Sequence, residues 1–256
     1  MIHKVKNTIK IGLLECDHVR DEFRHIAGDY RNMFPALFLP LAPEWEFTFY
    51  DVSNGHFPAS VDECDAYLST GSKFSVYDDE PWIHTLKAFV ADLYAHQKIY
   101  VGVCFGHQLL AEALGGKVQK SSVGWCVGVH RFTVSGLQFT VSGLPLEGSY
   151  PQWMQPFQQN VNLLMMCQDQ VQVLPPDAQV LATAADCPVA MFQVGQRMLG
   201  VQAHPEFTVP YEEALMGSRV ERIGTTKTQQ GLESLSQPLD SVLVARWIVE
   251  FVASRL

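Results

Sequence analysis

The sequence predicts an α/β fold in which a mostly parallel sheet is covered by helices. The first observation is that short β-like runs alternate along the chain with segments of helical periodicity. The second is that residues 99–103 are apolar almost throughout, as expected of a strand buried on both faces. The third is composition: of 256 residues, 47% are hydrophobic and 18% charged, which suffices for a large core and predicts a single domain over 1–256.

The first part of the chain contains three predicted strands and one predicted helix. Residues 9–14 alternate as a strand does, and we expect further strands over 47–50 and 66–69. Between the first two strands, residues 19–34 carry charged side chains on one side of a helical pattern. This pattern predicts one helix with a solvated face.

The middle of the chain contains two predicted helices on either side of strand 99–103. The first helix opens at Pro81, because a proline in the first turn loses no hydrogen bond. The second covers 105–114 and ends at Gly115 and Gly116, which are suited to a helix C-cap. The first helix is expected to turn four apolar side chains towards the sheet: Ile83, Leu86, Val90 and Leu93.

The remaining chain is predicted to return to β-structure and to end in a helix. Residues 130–144 have a hairpin-like pattern, and the prolines at 175 and 176 indicate a turn. Residues 189–194 and 198–203 are expected to pair as strands around Gly195. The last helix carries Val244, Ile248, Phe251 and Val252 on one face.

Charge, hydropathy and cysteine usage exclude several classes of function. Lys and Arg number 18 and Asp and Glu 27, so the net charge of −9 disfavours a nucleic-acid partner. No apolar stretch approaches the roughly 18 residues of a membrane span, and the apolar run that ends before Glu15 is too short for a signal peptide, which predicts a cytoplasmic protein. The six cysteines show neither CxxC spacing nor grouping with histidine, so we expect no disulfide framework, no metal and no cofactor.

Cys104 lies where the buried strand 99–103 meets the following helix. Gly102 and Gly106 flank it at two residues on either side, as a sharp strand-to-helix turn requires. Such a turn places the sulfur at the helix N-terminus, where the macrodipole favours a thiolate. The turn therefore predicts a nucleophile, although periodicity alone favours a buried cysteine that merely ends a core strand.

A second polar group follows the strand at 198–203. His204 and Glu206 are separated by Pro205, which keeps the backbone extended, so both side chains point to the same side. A carboxylate beside an imidazole fixes its tautomer and stabilises its protonated form. The alternative is a surface histidine followed by a helix-capping glutamate.

Together these segments resemble the class I (triad-type) glutamine amidotransferase family. Its signature is a glycine-flanked cysteine with glycine and glutamine two and four residues later, here Cys104, Gly106 and Gln108, and a distant His-Pro-Glu, here 204–206. The resemblance extends over most of the chain and is closest to the standalone, GMP-synthase-amidotransferase-like subgroup, which includes γ-glutamyl peptidases. It implies a flavodoxin-like open sheet with helices on both faces. Further matching segments are 68–72, 78–83, 124–125, 169–171, 174–175 and the helix after Phe207.

The resemblance also implies a role for each matched residue. Cys104 corresponds to the nucleophile, His204 to the general base and acid, and Glu206 to the residue that orients the imidazole. The backbone N–H groups of Gly71 and Phe105 correspond to the oxyanion hole.

Gln108 and the pair at 166–167 lie near the expected substrate pocket. Gln108 would line the pocket one helical turn beyond the nucleophile, or else be a solvated helix residue. Many relatives carry Ser-His where this chain has Met166 and Cys167. That loop holds the α-amino-acid end of glutamine in the family, so the change bears on substrate specificity.

The leading functional hypothesis is hydrolysis of a γ-glutamyl amide bond, in glutamine or a γ-glutamyl peptide, through a glutamyl-thioester intermediate. The chain shows no P-loop and no GxGxxG fingerprint, and no synthase half is expected after residue 256. One alternative is therefore a glutaminase subunit that delivers ammonia to a separate synthase subunit. An alternative of another class is a non-catalytic binding or regulatory protein on the same fold.

Overall fold

A nine-stranded sheet organises the chain, and a separate two-stranded sheet lies beside it. The structure is a computed structural model that describes residues 8–134 and 150–256. The strands are β1 (Ile9–Leu14), β2 (Trp45–Tyr50), β3 (Ala66–Ser69), β4 (Ile99–Val103), β5 (Lys117–Lys120), β6 (Cys126–Val134), β7 (Asn160–Cys167), β8 (Asp169–Val173), β9 (Ala178–Ala184), β10 (Cys187–Val194) and β11 (Met198–Val201). The helices are α1 (Arg24–Ala27), α2 (Tyr30–Phe38), α3 (Pro81–Ala95), α4 (Phe105–Ala113), α5 (Val209–Gly217), α6 (Val220–Ile223), α7 (Thr225–Ser234) and α8 (Ser241–Ala253).

The large sheet has the order β2-β1-β3-β4-β11-β10-β9-β6-β7. The first five strands pair in parallel, and each later neighbour pairs antiparallel. Alternation from β11 outward reverses only β10 and β6, so seven of the nine strands run in one direction. The predicted mostly parallel sheet is thereby confirmed.

Helices cover both faces of the sheet because neighbouring strand residues point to opposite sides. On one face, Leu68 and Val101 pack in a cluster that includes buried residues of α2 and α8. On the other face, Tyr67 and Tyr100 pack with α3 and α4. The side chains predicted to face the sheet from the helices that begin at Pro81 and Ser241 are all buried.

The helix predicted over 19–34 is wrong as a single element. Residues 21–23 form a 3-10 turn that leads into α1, and α2 starts only at Tyr30. Gly28 between them has a φ of +78°, which ends α1. Asp29 then caps α2, because its carboxylate accepts the N–H of Tyr30 and its own N–H donates to Asn32 Oδ1, each at 2.9 Å.

Other elements agree with the sequence except at particular ends. Strand β11 ends at Val201, two residues short of the prediction, although Gln202 still donates its N–H to Ala190 O of β10. The first residues of the predicted hairpin at 130–144 lie in β6, whereas 135–144 fall outside the described residues. The sequence patterns did not indicate β5, β7, β8 and β9.

Candidate active site

The strand register brings the predicted site residues to one edge of the sheet. Ser69 of β3 lies opposite Gly102 of β4, and Val103 lies opposite Val201 of β11. The parallel strands β3, β4 and β11 therefore end side by side. The segments that leave them carry Gly71, Cys104 and His204, and ligands of open α/β sheets bind at this edge.

Cys104 occupies a strained turn between β4 and α4. Its φ of +51° and ψ of −98° lie where non-glycine residues are rare. Two backbone hydrogen bonds hold this geometry: Cys104 N–H donates to Val201 O at 2.9 Å, and Gln108 N–H donates to Cys104 O at 3.1 Å. The sulfur is consequently fixed at the start of α4 with 5% of the residue exposed.

The glycines around Cys104 are required by close backbone packing. A Cβ on Gly102 would lie 2.2 Å from Gly106 O, and a Cβ on Gly106 would lie 1.9 Å from Ser69 Oγ. Tyr100 closes the same corner, because its hydroxyl lies 2.5 Å from Ser69 Oγ and donates to Gly106 O at 3.1 Å. The turn therefore has no room for a larger residue at either position.

His204 is held over the elbow by contacts from three directions. Its N–H donates to Leu164 O of β7 at 2.8 Å, and its ring stacks on Phe207 with centroids 3.8 Å apart. Its Nδ1 lies 2.7 Å from Oε1 of Glu206, which leaves Nε2 available to the Cys104 sulfur, whose charge acts on the imidazole. His204 is 3% exposed and Glu206 5%, so this is not a surface pair.

The electrostatics of the three residues favour a protonated imidazole. Burial alone lowers the pKa of His204, but the Cys104 sulfur and the Glu206 carboxylate outweigh burial and raise the pKa well above its ordinary value. A cationic His204 stabilises negative charge on the neighbouring sulfur. It also holds the proton that a leaving amine would need.

The backbone N–H groups of Gly71 and Phe105 are free of acceptors among the described residues. A Cβ on Gly71 would lie 2.7 Å from Cε1 of His204, so the glycine gives the imidazole its room. Phe105 is the first residue of α4 and therefore has no intrahelical acceptor. Within 8–134 and 150–256, neither N–H donates to a protein acceptor.

Gln108 is buried, with 3% exposed, and is not a solvated helix residue. Its Nε2 donates to Asp169 O at 2.7 Å and to Gln202 Oε1 at 3.2 Å. The side chain thus ties α4 to β8 and to the segment that leads to His204. Gln108 also lines a pocket beside Cys104.

Two pockets meet at Cys104. The smaller has a volume of about 120 Å³ and is lined by Phe105, Gln108, Trp125 and Cys167 among others. The larger has a volume of about 280 Å³ and contains His204. Both pockets share a boundary formed by Ser72, Lys73, Cys104, Met166, Arg219 and Arg222.

Sequence reasoning missed the basic and aromatic residues of this cleft. Arg219 and Arg222 come from the turn after α5 and from α6, and their spacing of three residues was the available signal. Tyr30 and Tyr211 line the larger pocket from α2 and α5, which are far apart in sequence.

The described residues contain neither a metal-binding cluster nor a membrane-spanning helix. Among those residues, no group of three or more His, Cys, Asp or Glu side chains is placed to hold a metal ion. None of the helices described has the length and apolar character needed to cross a bilayer.

Comparisons with known proteins identify the family of this chain. The family model "Glutamine amidotransferase class-I" matches residues 75–216, more than half of the 256-residue chain. Gamma-glutamyl peptidase 3 of Arabidopsis thaliana is 27% identical over 228 residues, covering 88% of this chain and 85% of that protein. A glutamine-hydrolyzing GMP synthase of Syntrophomonas wolfei is 31% identical over 185 residues, covering 70% of this chain but 31% of the synthase.

A solved structure confirms the fold class. The crystal structure of a glutamine amidotransferase from Thermotoga maritima superimposes with a TM-score of 0.70 and 16% identity, covering 96% of this chain and 98% of that one. At this identity the likeness shows the fold, whereas the family model and the relatives show the membership. The chain belongs to the class I glutamine amidotransferase family and is an amidotransferase-like hydrolase.

Proposed function

We propose that this enzyme hydrolyses γ-glutamyl amide bonds with Cys104 as the nucleophile. The observation that carries the proposal is the strained Cys104 elbow, which shares a pocket with the buried, hydrogen-bonded His204–Glu206 pair and lies where two pockets meet. A cysteine, a base within reach and a third group that orients the base together constitute the arrangement expected of covalent catalysis.

In the proposed acylation step, the Cys104 thiolate attacks the γ-carbonyl carbon of the substrate. The backbone N–H groups of Gly71 and Phe105 stabilise the oxyanion, since neither is used within the described protein. The C–N bond breaks as protonated His204 gives its proton to the leaving nitrogen. The products of this half-reaction are a free amine, or ammonia, and a γ-glutamyl thioester on Cys104.

In the proposed deacylation step, water hydrolyses the thioester. Neutral His204 takes a proton from the attacking water, and the oxygen adds to the thioester carbonyl. The C–S bond then breaks, which releases glutamate and restores the thiolate beside protonated His204. Glu206 holds Nδ1 throughout and therefore keeps Nε2 directed at the reacting atoms.

The glutamyl part of the substrate fits the smaller pocket. That pocket contains Phe105, whose N–H would bind the oxyanion, but not His204, which must face the leaving group. Gln108 supports its wall by fixing the Asp169 carbonyl. Met166 and Cys167 provide an apolar portion of the same wall where many relatives have Ser-His.

A γ-glutamyl peptide is favoured over free glutamine as the substrate. The larger pocket, at about 280 Å³, accommodates a leaving group well beyond ammonia. Contacts on that side are available to stabilise the transition state. The similarity to a protein named gamma-glutamyl peptidase supports this assignment.

A second candidate is a glutaminase subunit that passes ammonia to a separate synthase. The similarity to the amidotransferase-containing part of a GMP synthase favours it, because this chain covers only 31% of that protein. The same cysteine chemistry applies, with ammonia as the leaving group.

A substrate panel on the purified chain tests both candidates. Glutamine and a series of γ-glutamyl dipeptides are incubated with the enzyme and with Cys104→Ala, and glutamate and the released amine are measured. We expect at least one dipeptide to have a higher kcat/KM than glutamine and Cys104→Ala to be inactive. Turnover by Cys104→Ala would contradict the mechanism. A pull-down that recovers a stoichiometric synthase, together with glutaminase activity that rises severalfold in its presence, would favour the second candidate.

A further inference from the structure

The larger pocket at Cys104 is the leaving-group side of the cleft if the proposed function holds. A general acid must reach the nitrogen that departs, and His204 lines the larger pocket but not the smaller one. We call the larger one, which contains Tyr30, His204, Phe207, Tyr211 and Arg219, the leaving-group pocket. Whatever charge this pocket presents will act on the part of the substrate beyond the scissile bond.

Most cations around the leaving-group pocket are already paired. Lys73 Nζ lies 3.0 Å from Asp17 Oδ1, and Arg20 lies 3.0 Å from Glu22. Arg219 and Arg222 differ, since no carboxylate of the described residues lies within salt-bridge distance of either guanidinium, and the Arg219 side chain donates no hydrogen bond to those residues. The protein is acidic overall, with a net charge of −9, so an unpaired arginine in its cleft is not a consequence of composition.

The surroundings of Arg219 place it on the leaving-group side of the shared boundary. Tyr30 and Tyr211, which line only the leaving-group pocket, are near enough to Arg219 to influence its guanidinium. The Arg222 guanidinium and the Glu212 carboxyl group also act on it from nearby. Arg222, the other arginine of the boundary, lies instead over the Trp125 ring at 5.4 Å, and Trp125 lines only the smaller pocket. The two arginines therefore serve different halves of the cleft.

The positive charge of Arg219 is partly buried, and a bound anion would offset the cost of that burial. Partial burial lowers the pKa of this guanidinium, and the positive charge of Arg222 lowers it further, whereas Tyr30, Tyr211 and Glu212 offset only part of the shift. A planar guanidinium with free N–H groups matches a carboxylate in geometry and charge. Tyr30 and Tyr211 provide neutral walls beside it, and within the described chain no acidic side chain competes for it at salt-bridge distance.

We propose that Arg219 binds a carboxylate carried by the leaving group, so that the preferred substrates are γ-glutamyl peptides with a free C-terminal carboxylate. This inference rests on the proposed γ-glutamyl hydrolysis and makes it more specific. In a γ-glutamyl dipeptide the carboxylate is separated from the departing nitrogen by a single carbon atom. Amine or ammonia leaving groups without a carboxylate leave Arg219 unpaired.

A matched pair of substrates tests the proposal. The enzyme is assayed with γ-glutamyl-alanine, with γ-glutamyl-alaninamide, which has the same shape without the charge, and with glutamine. A hydrogen-bonded charge pair of this kind predicts a kcat/KM for the acid roughly 10- to 100-fold above that of the amide. In Arg219→Gln this ratio should fall to within about threefold of unity, and Arg219→Lys should restore part of it.

Two controls separate this role from a general effect of charge or stability. Arg246→Gln removes the same charge from the exposed face of α8, away from both pockets, and should keep the wild-type ratio. A binding measurement by calorimetry on Cys104→Ala compares the acid with the amide without any turnover. The preference should appear there too and should be lost in Cys104→Ala with Arg219→Gln.

Three results would overturn the proposal. A wild-type acid-to-amide ratio near unity, with all substrates cleaved, would show that the leaving group's carboxylate is not recognised. An equal loss for all three substrates in Arg219→Gln would assign Arg219 to the glutamyl part or to the fold. Equal binding of acid and amide to Cys104→Ala would likewise show that the carboxylate of the leaving group is not recognised. Failure of the wild-type enzyme to release glutamate from any substrate contradicts the proposed function instead, and the binding comparison still decides the role of Arg219.

Discussion

Replacing Gly71 with alanine should impair catalysis by displacing the imidazole of His204. The added Cβ would lie 2.7 Å from Cε1 of His204, whereas ordinary contacts begin at 3.4 Å. Gly71 does not have a left-handed φ, so alanine fits its backbone without strain, and its N–H remains available to an oxyanion. The substitution therefore tests the position of the base separately from the oxyanion hole.

The magnitude follows from the overlap. Since 3.4 − 2.7 = 0.7, the ring must move by at least 0.7 Å. The ring is fixed by the 2.7 Å bond from Nδ1 to Glu206 and by the stack on Phe207, so a shift of this size disturbs one of them. A misplacement of about 1 Å costs on the order of 100-fold in rate, which predicts a kcat lowered roughly 10- to 100-fold.

The assay is steady-state glutamate release, with the melting temperature recorded in parallel. We expect Tm to fall by only a few degrees, because the clash lies at the edge of a pocket. Gly217→Ala is the matched control: a Cβ there meets nothing within 4 Å, and it should leave both kcat and Tm near wild type. A kcat for Gly71→Ala within twofold of wild type would refute the reasoning that His204 needs the space above Gly71.

Four further predictions concern the same site and its surroundings. Labelling with a glutamine-like chloroketone should map to Cys104 alone; the pKa of Cys167 is raised well above its ordinary value by its hydrogen bond with Cys126 and by burial, so peptide mapping that finds Cys167 labelled would contradict this. His204→Ala should lower kcat more than Glu206→Gln does, although kcat of Glu206→Gln should still fall on the order of 10⁴-fold. Wild-type rates in both variants would show that the segment 204–206 has only a structural role. EDTA should leave glutamate release unchanged, and loss restored by a divalent ion would reveal a missed metal site. Burial raises the pKa of Glu212 from 4.5 to about 7, so the folded state holds this proton and stability declines as pH rises from 4.5 through 7. Melting curves should therefore show Glu212→Gln more stable than wild type at pH 8 but not at pH 4, by up to about 3 kcal/mol, and no gain at pH 8 would refute the buried-carboxyl argument.

The features predicted correctly from sequence are those with a local cause. Strand 99–103 is recognisable because every residue of a doubly covered strand is apolar, and β4 has these bounds. The turn at Cys104 is recognisable because glycines are required two residues before and after it. The structure shows which atoms a Cβ at either position would collide with. Pro81 marks the start of α3 for an equally local reason.

The features that were missed depend on contacts between distant segments. The helix over 19–34 is split because Asp29 accepts hydrogen bonds from Val19 and Tyr30, a choice that periodicity does not reveal. The proximity of Arg219 to the cleft depends on how α5 and α6 pack. In the same way, the contact between Gly71 and His204 joins residues more than a hundred positions apart.

The backbone of His204 connects the two halves of the sheet, so nearby residues that line the pockets can change without displacing its imidazole. Leu164 of β7, at the far edge from β2, forms an isolated bridge with His204, so the antiparallel half must curl back over the ends of the parallel strands. The hydrogen bond of this bridge, from His204 N–H to Leu164 O, uses backbone atoms only. Met166, two residues further along β7, faces both pockets. Side-chain changes at 166–167 therefore reshape the pockets beside Cys104, whereas the hydrogen bond that positions His204 is made by backbone atoms two residues away.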